Sequence, residues 1–138
     1  MRRFLPALLC TLALAACAST PHPAPTLVGR WTPVTAQLSG QDYPASNFQG
    51  ATLVLTASTY DFGGDQGTVS VNATTAPAQM DIHGTVGPNA GRTILAIYRL
   101  TTDQLTICYN LSAGPRPSDF VSPAGSMVLL VHYQRTQP

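Results

Sequence analysis

Residues 93–110 read TILAIYRLTTDQLTICYN. Two runs rich in aliphatic, β-branched and aromatic residues, 93–100 and 104–110, are separated by a Thr-Thr-Asp-Gln stretch that reads as a tight hairpin turn. In the second run Leu105, Ile107 and Tyr109 alternate with Thr106, Cys108 and Asn110. Period-2 patterning of this kind makes a strand with one dry face and one wetter face.

The same texture continues in both directions. Strands are expected at 28–38, 51–56, 58–62, 67–74, 78–84, 93–100, 104–110 and 126–135. Leu53 and Leu55 share a face, as do Val69, Val71 and Ala73, and Met80 and Ile82 oppose Asp81 and His83. Gly63-Gly64-Asp65-Gln66-Gly67 reads as another turn. No segment of helical length carries a 3.6-residue period; Asn47 to Ala51 could begin a short helical turn, which Gly50 weakens. Short connections favour antiparallel pairing of neighbours. The expected fold is therefore all-β: an antiparallel, eight-stranded up-and-down barrel, which removes sheet edges by closing.

Ahead of the barrel lies a different kind of sequence. Arg2 and Arg3 precede a short apolar run, Phe4 to Ala13, and then Leu14-Ala15-Ala16-Cys17. Small residues before a cleavage point suit a signal peptidase, and the apolar run is shorter than the roughly 20 residues a spanning helix needs. Leu-Ala-Ala-Cys resembles the lipobox of bacterial lipoproteins, in which the Cys thiol is acylated and becomes the first mature residue. The resemblance implies a signal peptide at 1–16, lipid on Cys17, and a membrane partner reached through that lipid. Buried acyl chains contribute about 0.8 kcal/mol per methylene, so several together hold firmly. Ala18, rather than Asp, follows the Cys, which resembles cargo sorted to the outer membrane of the bacterial envelope, facing the periplasm. Residues 17–26 then form a Pro-rich tether, and residues 27–138 form the barrel domain.

Composition narrows the partners. The 138-residue chain is only 9% charged and contains neither Lys nor Glu. Two of its seven Arg lie in the signal segment, leaving five against six Asp. A domain so near neutrality offers no electrostatic footprint for nucleic acid or for an anionic membrane surface. With Cys10 removed and Cys17 acylated, Cys108 is left without a disulfide partner and is expected to be a buried, inert thiol.

Three stretches together resemble an uncharacterised lipocalin-like domain family abundant in planctomycetes. They are Leu27-Val28-Gly29-Arg30-Trp31, then 94–105 (ILAIYRLTTDQL), then its continuation TICYNLSAGPRPSDF to Phe120. Ile97-Tyr98, Asp103-Gln104-Leu105, Cys108-Tyr109 and Arg116-Pro117-(Ser118-Asp119)-Phe120 fit the family's IYxLxGDxLxxCY…RPxxF pattern, and Pro77 to Asp81 fits an upstream element. Ala96 and Thr102 depart from it where Gly is common. The resemblance spans about residues 27 to 135 and implies a fold, not a function. Gly29-Arg30-Trp31 is also similar to the Gly-x-Trp opening of lipocalins, in which the Trp closes one barrel end against an Arg of the last strand. Arg135 stands in that element, and a guanidinium over an indole is worth about 0.5–2 kcal/mol.

Catalytic sets are absent: there is no Glu, no Gly-x-Ser-x-Gly and no Cys–His pair of recognisable spacing. Asp42, Asp61, Asp65, Asp103 and Asp119 read as turn residues that cap their own backbone. Asp81 and His83 share a strand face, but a metal site needs further ligands and none is evident. The chain is thus not expected to be an enzyme, and no cofactor or metal is expected. Arg116, stiffened by Pro115 and Pro117, could clamp an acidic group; it could equally pair with Asp119 or cap strand carbonyls. Tyr98 and Tyr109 could line a cavity or seal the core.

Two functions follow. One is a ligand carrier in which the Gly114 to Phe120 loop forms the rim, Arg116 and Phe120 sit at the lip, and Tyr98 and Tyr109 point inward below. Such a cup would suit a small apolar ligand or an amphiphile with an acidic head. The other is an envelope interaction, inhibitor or immunity protein with a filled barrel. A cavity of roughly 300 Å3 or more favours the first. For the anchor, Cys17→Ser is expected to abolish lipid labelling and block normal maturation; a variant that is labelled and fractionates with membranes as before would refute the lipobox.

Overall fold

The computed structural model describes residues 20–137; Cys17 and the signal segment lie outside them. All eight expected strands form. They are β1 (Gly29–Leu38), β3 (Leu53–Leu55), β4 (Thr59–Phe62), β5 (Asp65–Asn72), β6 (Ala78–Val86), β7 (Thr93–Leu100), β8 (Gln104–Asn110) and β9 (Val128–Arg135). A two-residue strand, β2 (Gln41–Asp42), and a 3-10 turn at Ala45–Phe48 fill the connection after β1. Every neighbouring pair is antiparallel, and β1 also pairs with β9, so the sheet closes into an up-and-down barrel.

Closure depends on β1 using both of its edges. Gly29, Arg30 and Trp31 pair with Leu55, Val54 and Leu53 of β3 on one edge. From Trp31 to Leu38 the opposite edge pairs with β9, from Arg135 back to Leu129. Pro33, which has no N–H to give a ladder, sits at a register shift between Pro33 and Thr35. Since β3 is only three residues long, the far half of β1 is covered on that edge by β2 and the 45–48 turn, with Tyr43 N–H donating to the Ala36 carbonyl at 2.8 Å.

Alternation sends one set of side chains inward. Trp31, Leu53, Leu55, Tyr60, Val69, Met80, Ile82, Ile94, Ala96, Tyr98, Leu105, Ile107, Tyr109, Val131 and Tyr133 belong to one buried cluster. A second, smaller cluster of Ile97, Cys108 and Leu130 lies on the other face of the same strands.

One barrel end is locked by Trp31 and Arg135. The indole is fully buried and the Arg135 guanidinium carbon stands 4.1 Å from its ring centroid. Trp31 Nε1–H donates to the Leu27 carbonyl at 2.9 Å. Arg135 donates to the carbonyls of Thr102, Val28 and Thr26, at 2.8, 3.1 and 2.6 Å, which ties the β7–β8 turn to the entering chain. Gly29 suits this place: its φ is +145°, which favours glycine, and an added Cβ would come within 2.6 Å of Arg135 Nη1 and make the guanidinium shift. Trp31→Ala should therefore cost on the order of 3–5 kcal/mol, read by denaturant or thermal unfolding; unchanged unfolding would overturn the role given to this lock.

Candidate functional site

The end opposite the Trp31–Arg135 lock holds the candidate site. Gly63 and Gly64, both at positive φ, make a two-residue turn that places Phe62 opposite Asp65. Tyr60 and Phe62 on β4, and Asp65 and Val69 on β5, all line the interior there. Phe48, from the 3-10 turn, packs edge-on against Phe62 at 5.5 Å between centroids and against Tyr43 at 5.4 Å. Beneath these rings lies a partly open cavity of about 110 Å3, walled mainly by Leu53, Met80, Ile82, Ile94 and Ile107.

Its polar groups are few and placed together. Asp65 Oδ1 accepts the backbone N–H of Asn89 at 3.1 Å, and Oδ2 accepts Asn89 Nδ2–H at 2.6 Å and the Tyr60 hydroxyl at 3.4 Å. Burial, then the neighbouring Asp65 carboxylate, pushes the Tyr60 phenol up to about 12. On the other wall the Tyr109 and Tyr133 hydroxyls meet at 2.8 Å. Burial pushes both phenols well up, so they remain neutral donor–acceptors. One proton suffices for a bond between two hydroxyls, which leaves the second hydroxyl able to donate elsewhere.

A second space, of about 290 Å3, opens at the Trp31 end between Pro25–Val28 and the strand ends carrying Leu55, Val71 and Leu100. Leu55, Val69 and Met80 wall both spaces.

The residues expected to build one cup are divided among three places. Tyr109 lines the cavity, but Tyr98 lines the space at the opposite end. Arg116 and Phe120 are at neither mouth. The segment between β8 and β9 runs down the outside of the barrel, where Arg116 Nη2 pairs with Asp81 Oδ1 at 2.5 Å and Nη1 donates to the carbonyls of Met80 and Ala96. The carbonyl-capping alternative is the one found, with Asp81 and not Asp119 as the acidic partner. Phe120 covers Ile97, Cys108 and Leu130, and the Arg99 guanidinium lies 4.4 Å from its ring centroid. Asn110 Nδ2–H holds the start of this strap through the Pro115 carbonyl at 2.7 Å. The Gly114 to Phe120 loop is consequently a wall covering and not a rim.

His83 faces Thr93 and His132 faces Thr106, each through Nδ1, at 3.1 and 3.0 Å. Asp61 caps its turn as expected, accepting from Gly64 N–H and Gln66 Nε2–H. Asp65 also caps a loop, but its side chain lines the cavity, which the turn reading passes over. The signal was available: Asp65 is in phase with Val69 at two-residue steps, and Tyr133 is in phase with Arg135. No protein-family model, curated protein or solved structure matches this chain.

Cys108 is fully buried under the strap, and burial pushes its thiol up to about 11. The unfolded thiol ionises near 8.5. The stability contributed by keeping it neutral is therefore complete below about pH 8.5 and declines as pH rises toward 11. A thiol reagent at neutral pH should label the native chain slowly and the denatured chain fast; rapid native labelling would show that the strap does not cover Cys108.

Proposed function

We propose that the protein is an envelope lipoprotein, held by lipid on Cys17, whose lipocalin-like barrel binds a small apolar or amphiphilic molecule. The observation that carries this reading is the incompletely filled interior. A partly open cavity of about 110 Å3 combines an apolar lining with the few convergent polar groups of Tyr60, Asp65, Asn89, Tyr109 and Tyr133, as binding sites do. The tether supports an arrangement with the Phe48 mouth away from the membrane, since Pro25 to Val28 join the barrel at its Trp31 end. The binding module carries no nucleophile or acid–base set in this reading and is not an enzyme.

Size restricts the ligand. The cavity falls below the roughly 300 Å3 of ordinary small-molecule sites. A long acyl chain would have to extend past Leu55, Val69 and Met80, the residues that wall both spaces. The same shortfall favours an alternative in which the barrel is a filled scaffold and its outer surface meets an envelope protein.

Native mass spectrometry of the full chain released from membranes, with titration by apolar and amphiphilic molecules from short alcohols to fatty acids, separates the two. A retained small molecule or saturable binding is expected, weakened about tenfold by Ile94→Phe, which fills the cavity. No retained molecule and no saturation across the series would remove the binding reading and leave the protein-interaction one.

A further inference from the structure

We infer that the cavity selects a small apolar molecule bearing an amine, its ammonium seated against Asp65. This deepens the binding reading above and rests on it.

The argument begins with charge. Asp65 is the one charged side chain that lines the cavity. Among the described residues the one ion pair is Arg116–Asp81, on the outer wall, so Asp65 faces the cavity without a cation. Its donors are all neutral: the Asn89 amide and backbone, and the Tyr60 hydroxyl. A carboxylate offers about four acceptor positions, and these donors occupy three. The cation nearest in this network is Arg92, which is committed elsewhere. Its Nη1 donates to Asn89 Oδ1 at 2.9 Å and its Nη2 donates to the Leu111 carbonyl. That bond turns the Asn89 amide so that its NH2 faces Asp65.

The surrounding hydroxyls complete the pattern. Tyr60 directs its O–H toward Asp65, so its oxygen lone pairs remain as acceptors. Tyr109 and Tyr133 add two further oxygens across the cavity. An ammonium brings three donors and a positive charge to such a set, and charge-assisted bonds are roughly twice as strong as neutral ones. A carboxylate head would meet Asp65 as a like charge. Arg116, which could have welcomed an acid, is on the outer wall. The apolar body is bounded by volume: an engineered cavity of about 150 Å3 takes benzene, so one of about 110 Å3 suits a short branched chain, or a ring that extends partly through the open mouth, with its head toward the polar wall.

The test is calorimetric titration of the full chain in nanodiscs with four probes of one shape: benzylamine, benzyl alcohol, toluene and benzoate. Benzylamine should bind about tenfold or more tighter than the alcohol and toluene, with benzoate weakest, and its advantage should shrink as salt is raised. Asp65→Asn should remove the advantage while leaving toluene binding unchanged. Should that variant loosen the loop at Asn89 and unfold, the ranking on the unaltered chain decides by itself. Alcohol or toluene binding as tightly as the amine would overturn the inference and leave the binding reading standing. Saturation only by longer molecules would overturn it likewise, and no binding by any molecule would take down both.

Discussion

A flat eight-stranded sheet would leave two rows of unpaired N–H and C=O groups, and here a single strand removes both. β1 pairs with β3 through its first three residues and with β9 through seven residues between Trp31 and Leu38, sharing Trp31 between them. Everything else is arranged around that double pairing. Trp31 is the point at which both edges are engaged, and its ring fills the barrel at that level. Arg135, the β9 partner of Trp31 in register, is thereby brought over the indole. Its three carbonyl contacts then tie in residues 26, 28 and 102, so the entering chain, the first and last strands and the β7–β8 turn meet on one guanidinium. No ladder made only of local hairpins could hold the ends of the sheet together this way, because the closing pairs are about a hundred residues apart in the chain.

The lock makes the two barrel ends unequal. At the Trp31 end backbone carbonyls are bound to a cation, and beside them a space opens between Pro25–Val28 and the apolar strand ends. At the other end β3 is too short to follow β1, and the gap is bridged by an irregular segment with Tyr43 and Phe48. Aromatic rings that touch at tilted angles cover a mouth without the fixed ladder of a strand. The polar groups of Asp65, Asn89 and the three tyrosines gather beneath that covering. The difference follows from strand length, since a longer β3 would have continued the ladder and filled the wall.

The eight strands were legible because Leu105-x-Ile107-x-Tyr109 and its counterparts report directly which face is dry. β2 was not, since two residues carry no period. The lock was legible from Gly29-Arg30-Trp31 and Arg135 only through their similarity to the Gly-x-Trp opening of lipocalins, since residue spacing alone does not bring the two chain segments together. The candidate site was less so. Tyr98 and Tyr109 both point inward, but they stand on strands running in opposite directions, and facing inward says nothing about depth. Depth depends on register, and Tyr98 pairs with Ile107 whereas Tyr109 pairs with Ala96, which separates the two rings along the barrel. Asp65 was read from its Gly-rich surroundings as a turn residue. It does cap a loop, through Asn89, but the same carboxylate also lines the interior.

The strap accounts for the remaining difference, and its cause is apolar surface. β8 ends and β9 begins at the same barrel end, so a short hairpin would have sufficed. Residues 111–127 are far more than a turn requires, and a long connection at a mouth reads naturally as a rim. Ile97, Cys108 and Leu130 decide otherwise. They alternate out of phase with the core, so on a bare barrel they would face water as one contiguous patch. Covering an aliphatic side chain of that size is worth about 1.5–3 kcal/mol, enough to draw Phe120 and the backbone of Val121 down onto the wall. Once the strap lies there, its cation cannot be left over the sheet without partners. Asp81 on the outer face of β6, together with the carbonyls of Met80 and Ala96, supplies them. The wet face of β6, which looked like a half-built pair of ligands at Asp81 and His83, is thus the docking point of the strap, and the charge that seemed to belong to the mouth is spent holding the wall closed.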